Sequence, residues 1–173
     1  MDPWFRTVAS GILHGVHADT DLLVRPATEF DHAAIRALAG ELTAGVAPWR
    51  PAAGVAAAAA VWVADACRAG TDGSRALLVA CDAEGALLGF AGVTARRHFS
   101  GEREAYLGEL VVAPEARRRG VGSRLVAAAE RWAGERGLAR LTLDTGTANA
   151  AARSLYARLG YLEEQVTLTR ALS

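Results

Sequence analysis

The sequence predicts an α/β (α+β) fold over residues 22–173, preceded by a tail over residues 1–21 that fits no clean element. Three observations carry this. Strand-like and helix-like segments alternate in the order strand–helix–helix–hairpin–strand–helix–strand–helix–strand. Two β-rich runs, Ala76 to Cys81 and Ala86 to Ala95, flank the turn Asp82-Ala83-Glu84-Gly85 and read as a hairpin. The stretch from Ala105 to Arg124 reads as a strand, a tight turn and the opening of a helix.

In the tail, Trp4, Phe5, Val8, Ile12 and Leu13 could form one side of a short helix that Gly11 and Gly15 interrupt. His14 and His17 are spaced as a possible metal pair, but no third ligand is near, so no metal site is expected. Leu22 to Pro26 is the first strand. Thr28 or Asp31 can cap a helix from about Phe30 to Leu42, with Ile35, Leu38 and Leu42 on one face. Thr43 to Gly54 is a loop around Trp49 and Arg50, able to cover a substrate pocket or simply to connect. Val55 to Arg68 is alanine-rich, and Val61, Trp62, Val63 and Cys67 favour a packed helix over a low-complexity linker.

The second hairpin strand can extend to Arg97, and His98 to Glu104 connects it to the strand Ala105–Val112, with His98 read as a loop residue. There Leu107, Glu109 and Val111 alternate with Gly108, Leu110 and Val112, until Pro114 ends the ladder. The next helix carries the stripe Val121, Leu125, Ala128, Ala129 and Trp132, and Gly137 stops it. Leu138 to Thr145 follows as a strand, with Leu141 and Leu143 facing one way and Thr142 and Asp144 the other. A last helix runs from Asn149 to Gly160. Asn149 and Tyr156 lie about two turns apart on one face, and Ala152, Leu155 and Leu159 line another. Gln165 to Thr169 reads as a final strand.

Composition narrows the function. With 51% hydrophobic residues in 173, the chain can bury a real core. Its 19 basic and 19 acidic side chains leave no field for a nucleic-acid or membrane-surface partner. No apolar run of membrane-spanning length and no basic leader are evident, and Cys67 and Cys81 are too few and badly spaced for a disulfide framework. A cytoplasmic protein with reduced thiols is the expectation.

The local exception is Arg117-Arg118-Arg119-Gly120-Val121-Gly122. Free N–H groups of a first helical turn, two residues without side chains and three guanidiniums make a site for phosphate oxygens, though a basic loop capping a helix would use the same residues. A P-loop is excluded because Ser123-Arg124, not Lys, follows Gly122, and a dinucleotide fingerprint because Leu125 stands where its third glycine would be. Arg-x-x-Gly-x-Gly after Leu-Val-Val-Ala-Pro resembles the pyrophosphate signature of the GNAT superfamily of acyl-CoA-dependent N-acetyltransferases. The run from Asn149 to Tyr161, Asn-Ala-Ala-Ala-Arg-Ser-Leu-Tyr-Ala-Arg-Leu-Gly-Tyr, is similar to the second signature of that family.

The resemblance covers about Leu22 to Leu172 and implies a three-layer fold: a mixed, mostly antiparallel sheet flanked by helices. Its central strands, here Ala105–Val112 and Leu138–Thr145, would splay to admit acetyl-CoA as co-substrate. It implies that Leu110, Val111 and Val112 meet the pantetheine arm through their backbone. Arg117, Arg118, Arg119, Gly120, Val121, Gly122 and Ser123 would wrap the pyrophosphate, Asn149 would contact the cofactor, and Tyr156 would protonate the departing thiolate. Family chains usually carry two strands after the last helix. One is expected here, so a partner subunit in a homodimer or the N-terminal segment could supply the other.

Acetyl transfer to an alkyl amine of pKa ~10.4 requires a neutral nucleophile, which costs ~4.6 kcal/mol at pH 7. Glu109 and Asp144 are the candidate bases, beside an ordered water or self-deprotonation of the substrate; each could instead be structural, Glu109 in an ion pair and Asp144 at a turn. The acceptor, a small-molecule or peptide amine, is not readable. A non-catalytic acyl-CoA sensor is the alternative.

Overall fold

The computed structural model describes residues 22–172, so the tail over residues 1–21, with the His14–His17 pair, lies outside the described residues. The predicted hairpin is present as β2 (Arg75–Cys81) and β3 (Leu87–Arg97), with the Asp82 carboxylate accepting the Ala86 N–H at 2.7 Å across the turn. β1 (Leu23–Pro26) pairs antiparallel with β2, and β4 (Arg103–Val112) pairs antiparallel with β3. β5 (Leu141–Leu143) joins β4 in parallel. The result is a mixed, mostly antiparallel sheet in the order β1-β2-β3-β4-β5.

Helices cover both faces, because both faces of the inner strands are apolar. α1 (His32–Ala37) and α2 (Ala52–Ala69) bury Ile35, Val63 and Cys67 against Leu77, Val79 and Phe90. α3 (Val121–Gly134) packs the opposite face and buries the predicted stripe, Val121, Leu125, Ala128, Ala129 and Trp132, against Ala91, Val93 and Leu107. α4 (Ala150–Arg158) lies near the start of α3, where Leu155 packs over Gly122. α2, at 18 residues, is by length and composition apolar enough to cross a membrane, which the sequence reading had excluded for every run. Its Ala59, Val63 and Cys67 are buried on the sheet, while Val61 and Trp62 are exposed.

Several elements differ from expectation. The first helix does not run from Phe30 to Leu42: α1 is six residues long and flanked by 3₁₀ turns at Glu29–Asp31 and Ala39–Thr43. Asp31 is drawn into local bonds, accepting from Arg25 at 2.7 and 2.8 Å and from the Thr28 N–H at 2.7 Å, and Gly40 weakens the other end. β5 keeps three of the eight residues expected between Leu138 and Thr145. The Gln165–Thr169 segment forms no strand among the described residues. It has found no partner edge, and Val166 and Leu168 stand 72% and 89% exposed.

The β4–β5 junction sets up the site. Their register is Ala105↔Leu141, Tyr106↔Thr142 and Leu107↔Leu143, and it stops there while β4 continues to Val112. On its other edge β4 carries one extra residue: Gly92 pairs with Glu109 and Val93 with Leu107, so Gly108 is bulged out. The bulge breaks the predicted alternation. Leu107, Leu110 and Val112 face α3, whereas Val111 joins the core under α1 and α2.

Below the junction, Glu104 is 4% exposed, the one buried charged side chain among the described residues. It accepts from Arg96 Nε on β3 and from Thr142 Oγ1 on β5, each at 2.7 Å. Burial opposes its charge, but the bonds from Thr142 and Arg96 outweigh it and hold the carboxyl below its ordinary range. Because the depressed value belongs to the folded state, this stabilisation is present at neutral pH and is lost as pH falls through it. Glu104→Ala is expected to cost about 2 kcal/mol at pH 7, the worth of hydrogen bonds to a charged group, with a smaller difference in acid. Urea unfolding of both proteins at pH 7 and pH 3 checks this.

Candidate active site

Beyond Leu107 the β5-facing edge of β4 has no strand partner among the described residues, so the backbone groups of the Leu110–Val112 segment can bind an extended ligand there. The Val112 carbonyl already accepts from Arg117 Nε at 3.3 Å. Glu109 sits at the mouth of this parting, directly after the bulge. Its carboxylate lies over Gly92, where a Cβ would collide with it, so a residue on the neighbouring strand makes room for the acid. No hydrogen-bond donor among the described residues reaches Glu109, and burial pushes its carboxyl up to about 7. That places it where a general base for neutral pH works best. A pocket of about 210 Å³ between the end of α2 and β2–β3 opens onto it, lined by Trp62, Asp65, Thr94 and Glu109 among others.

The turn after β4 leads into α3 as the sequence predicts. A 3₁₀ turn at Pro114–Ala116 is followed by Arg117, and Arg118 adopts a left-handed conformation with φ of 65°. Gly120 is also left-handed, with φ of 84°, a conformation that glycine adopts at little cost. No side chain caps α3, so its first-turn amides at Val121, Gly122 and Ser123 remain available at the positive end of the helix. Gly122 serves another purpose. A Cβ there would stand 3.2 Å from Leu155 Cδ2, so the missing side chain seats α4 on α3. The Arg117 guanidinium pairs with Glu41, which ties this turn to the 3₁₀ segment after α1.

On α4, Asn149 is the N-cap: its Oδ1 accepts the Ala152 N–H at 3.1 Å, and its Nδ2 donates to the Ala44 carbonyl at 3.4 Å. Tyr156 is half-buried against the α3-side core, and burial pushes its phenol up to about 12, so it keeps its proton at neutral pH. Asp144 lies just past the end of β5 and is exposed; its Oδ2 accepts the Tyr106 phenol at 2.9 Å. Burial first, then that bond, raises the Tyr106 phenol to about 12. The Arg96 guanidinium stacks 3.9 Å from the Tyr106 ring centroid. Glu104, Arg96, Thr142 and Tyr106 had no signal in the sequence, because the network exists only through cross-strand pairing of three strands.

A β4 edge with no strand partner beyond Leu107 among the described residues, an uncapped helix start among arginines, and a half-buried carboxyl and phenol are the elements of the candidate site. Two curated relatives match parts of the chain. The aminoglycoside N(6')-acetyltransferase type 1 of Klebsiella aerogenes is 40% identical over 92 residues, 51% of this chain and 60% of that protein. The uncharacterized N-acetyltransferase YhfO of Bacillus subtilis is 48% identical over 58 residues, 34% of this chain and 39% of that protein. The matched stretches thus span less than two thirds of those relatives. Among solved structures, a putative acetyl transferase from Pyrococcus furiosus superposes with a TM-score of 0.70 at 21% identity, covering 88% of this chain and all of that one. AAC(6')-Iy in complex with a CoA-S-monomethyl-acetylneamine bisubstrate analogue gives 0.66 at 23%, covering 89% and 100%. These two show the same fold. The model of the acetyltransferase (GNAT) family matches residues 47–161, and the chain belongs to that family.

Proposed function

We propose that the chain is an acetyl-CoA-dependent N-acetyltransferase that moves an acetyl group to the primary amine of a small molecule by direct attack in a ternary complex. The observation that carries this reading is Glu109, a carboxyl without a donor among the described residues, pushed up to about 7 by burial beside the edge of β4. Names of relatives that act on aminoglycosides favour a small-molecule amine as acceptor. The first-turn amides of α3 and the arginines from Arg117 to Arg119 take the pyrophosphate, and the free edge of β4 at Leu110, Val111 and Val112 takes the pantetheine arm. Asn149, the N-cap of α4, is assigned to the same cofactor in this reading.

Chemistry divides between two groups whose protonation states burial has separated. Glu109, deprotonated above pH 7, takes a proton from the incoming ammonium, directly or through one water. Tyr156, protonated, gives one to the departing thiolate, whose reference value near ~8.5 lies below that of a phenol. Asp144 is already engaged by Tyr106, so its role in this reading is to hold the end of β5 against β4. The test is thiol release from acetyl-CoA with a panel of amines; no release above background with any amine would overturn the assignment.

Three outcomes follow. Glu109→Gln should lower kcat by about 10²-fold or more and remove the rise in activity through pH 7. It should also raise the melting temperature at pH 8, because a carboxyl with an elevated folded pKa loses stability once it ionises. Tyr156→Phe should lower kcat by about 10²-fold with little change in affinity for acetyl-CoA, read by steady-state kinetics beside calorimetry. Ser123→Glu puts a carboxylate in the first turn of α3, which suits the helix but repels a diphosphate. Calorimetry should show acetyl-CoA binding lost at an unchanged or higher melting temperature.

A further inference from the structure

The Tyr156 phenol has no hydrogen-bond partner among the described residues, so nothing at its own tip sets its aim. The position of a tyrosine oxygen is governed by χ1, which swings the whole ring. The α3-side core and the neighbouring ring both limit that swing. Tyr161 lies with its centroid 5.6 Å from that of Tyr156 and its plane inclined by 57°, a tilted aromatic pair.

Backbone geometry builds this pair. α4 ends with Leu159 donating to the Leu155 carbonyl, Gly160 in the left-handed region at φ of 87°, and the Tyr161 N–H returning to the Tyr156 carbonyl at 3.0 Å. This closure folds the residue after the glycine back onto the last turn of the helix. The far end of Tyr161 is anchored as well. Its hydroxyl donates to Glu130 Oε1 at 3.0 Å, and Glu130 belongs to α3. The brace therefore runs from α3, whose start forms the phosphate cradle, through Glu130 and Tyr161 to the Tyr156 ring.

We propose that Tyr161 and Glu130 are positioning residues for Tyr156, holding its phenol at a fixed height above the helix that grips the diphosphate. The proposal rests on the reading of Tyr156 as the acid that protonates the thiolate. It makes two residues on different elements act on the reaction without touching either substrate. Since general acid catalysis supplies ~10²–10⁴-fold and needs hydrogen-bond reach, a loosened ring forfeits part of that factor and leaves binding alone.

The experiment uses the full chain with acetyl-CoA, neamine as acceptor and thiol release as readout. Tyr161→Phe, which keeps the ring and removes the anchor, and Glu130→Gln, which alters the anchor from α3, should each lower kcat about tenfold. Each should keep the KM for acetyl-CoA within about twofold and the melting temperature near that of the parent. In a Tyr156→Phe background neither should lower kcat further, because the group they position has gone; a purely structural role would lower it there equally. Unchanged kcat in both single variants, or the same fractional loss in the Tyr156→Phe background, overturns the proposal. Full kcat in Tyr156→Phe alone overturns the acid assignment and the proposal with it. A slow Tyr156→Phe beside normal Tyr161→Phe and Glu130→Gln overturns the proposal and leaves the assignment standing. Absence of turnover by the parent chain with neamine and with every other amine of the panel overturns both.

Discussion

The parallel ladder between β4 and β5 is three residues long, and buried chemistry ties it at one end only. Glu104 takes hydrogen bonds from Arg96 on β3 and Thr142 on β5, so the three strands are held together below the junction. Above it Tyr106 reaches Asp144, and beyond that no pairing on this edge remains among the described residues. A strand edge left open inside a folded domain has to satisfy its amides and carbonyls elsewhere. The edge proposed to take the cofactor is therefore the direct result of where the pairing stops.

Much of this was legible. The turn into α3 could be read because glycine, proline and clustered arginine each have a local physical meaning, and α3 packs through the stripe that its periodicity marks. What the sequence hid is non-local. Gly122 looks like a residue kept small for a ligand, yet its missing side chain seats Leu155. Gly92 carries no signal of its own, and its purpose appears only when β3 lies beside Glu109. The first helix was read as too long because Asp31 looked like a simple cap, whereas Arg25 and Thr28 draw it into a turn. Residues 165–169 have the composition of a strand, but composition cannot supply an edge to pair with.

The two groups assigned to proton transfer share one cause for their shifted acidities. Burial is the cause that raises both the Glu109 carboxyl and the Tyr156 phenol. A shift produced by desolvation depends on the shape of the surrounding packing, so α2, β3 and the α3–α4 contact act on reactivity as much as on stability. The Tyr106 phenol differs: burial is again the larger influence, but a carboxylate partner adds to it and fixes the direction of its proton.

Gly108 stores information of a kind that substitution cannot reach. The bulge is a surplus of one residue on β4 relative to β3, and it decides which side of the sheet every later side chain of that strand meets. Were Gly108 to take a regular place in the pleat instead of bulging out, Glu109 and Val111 would turn toward α3 and Leu110 and Val112 would come under α2, although every side chain of the strand would be unchanged. Parity along a single strand thus decides which side chains join the core under α1 and α2 and which join the core under α3.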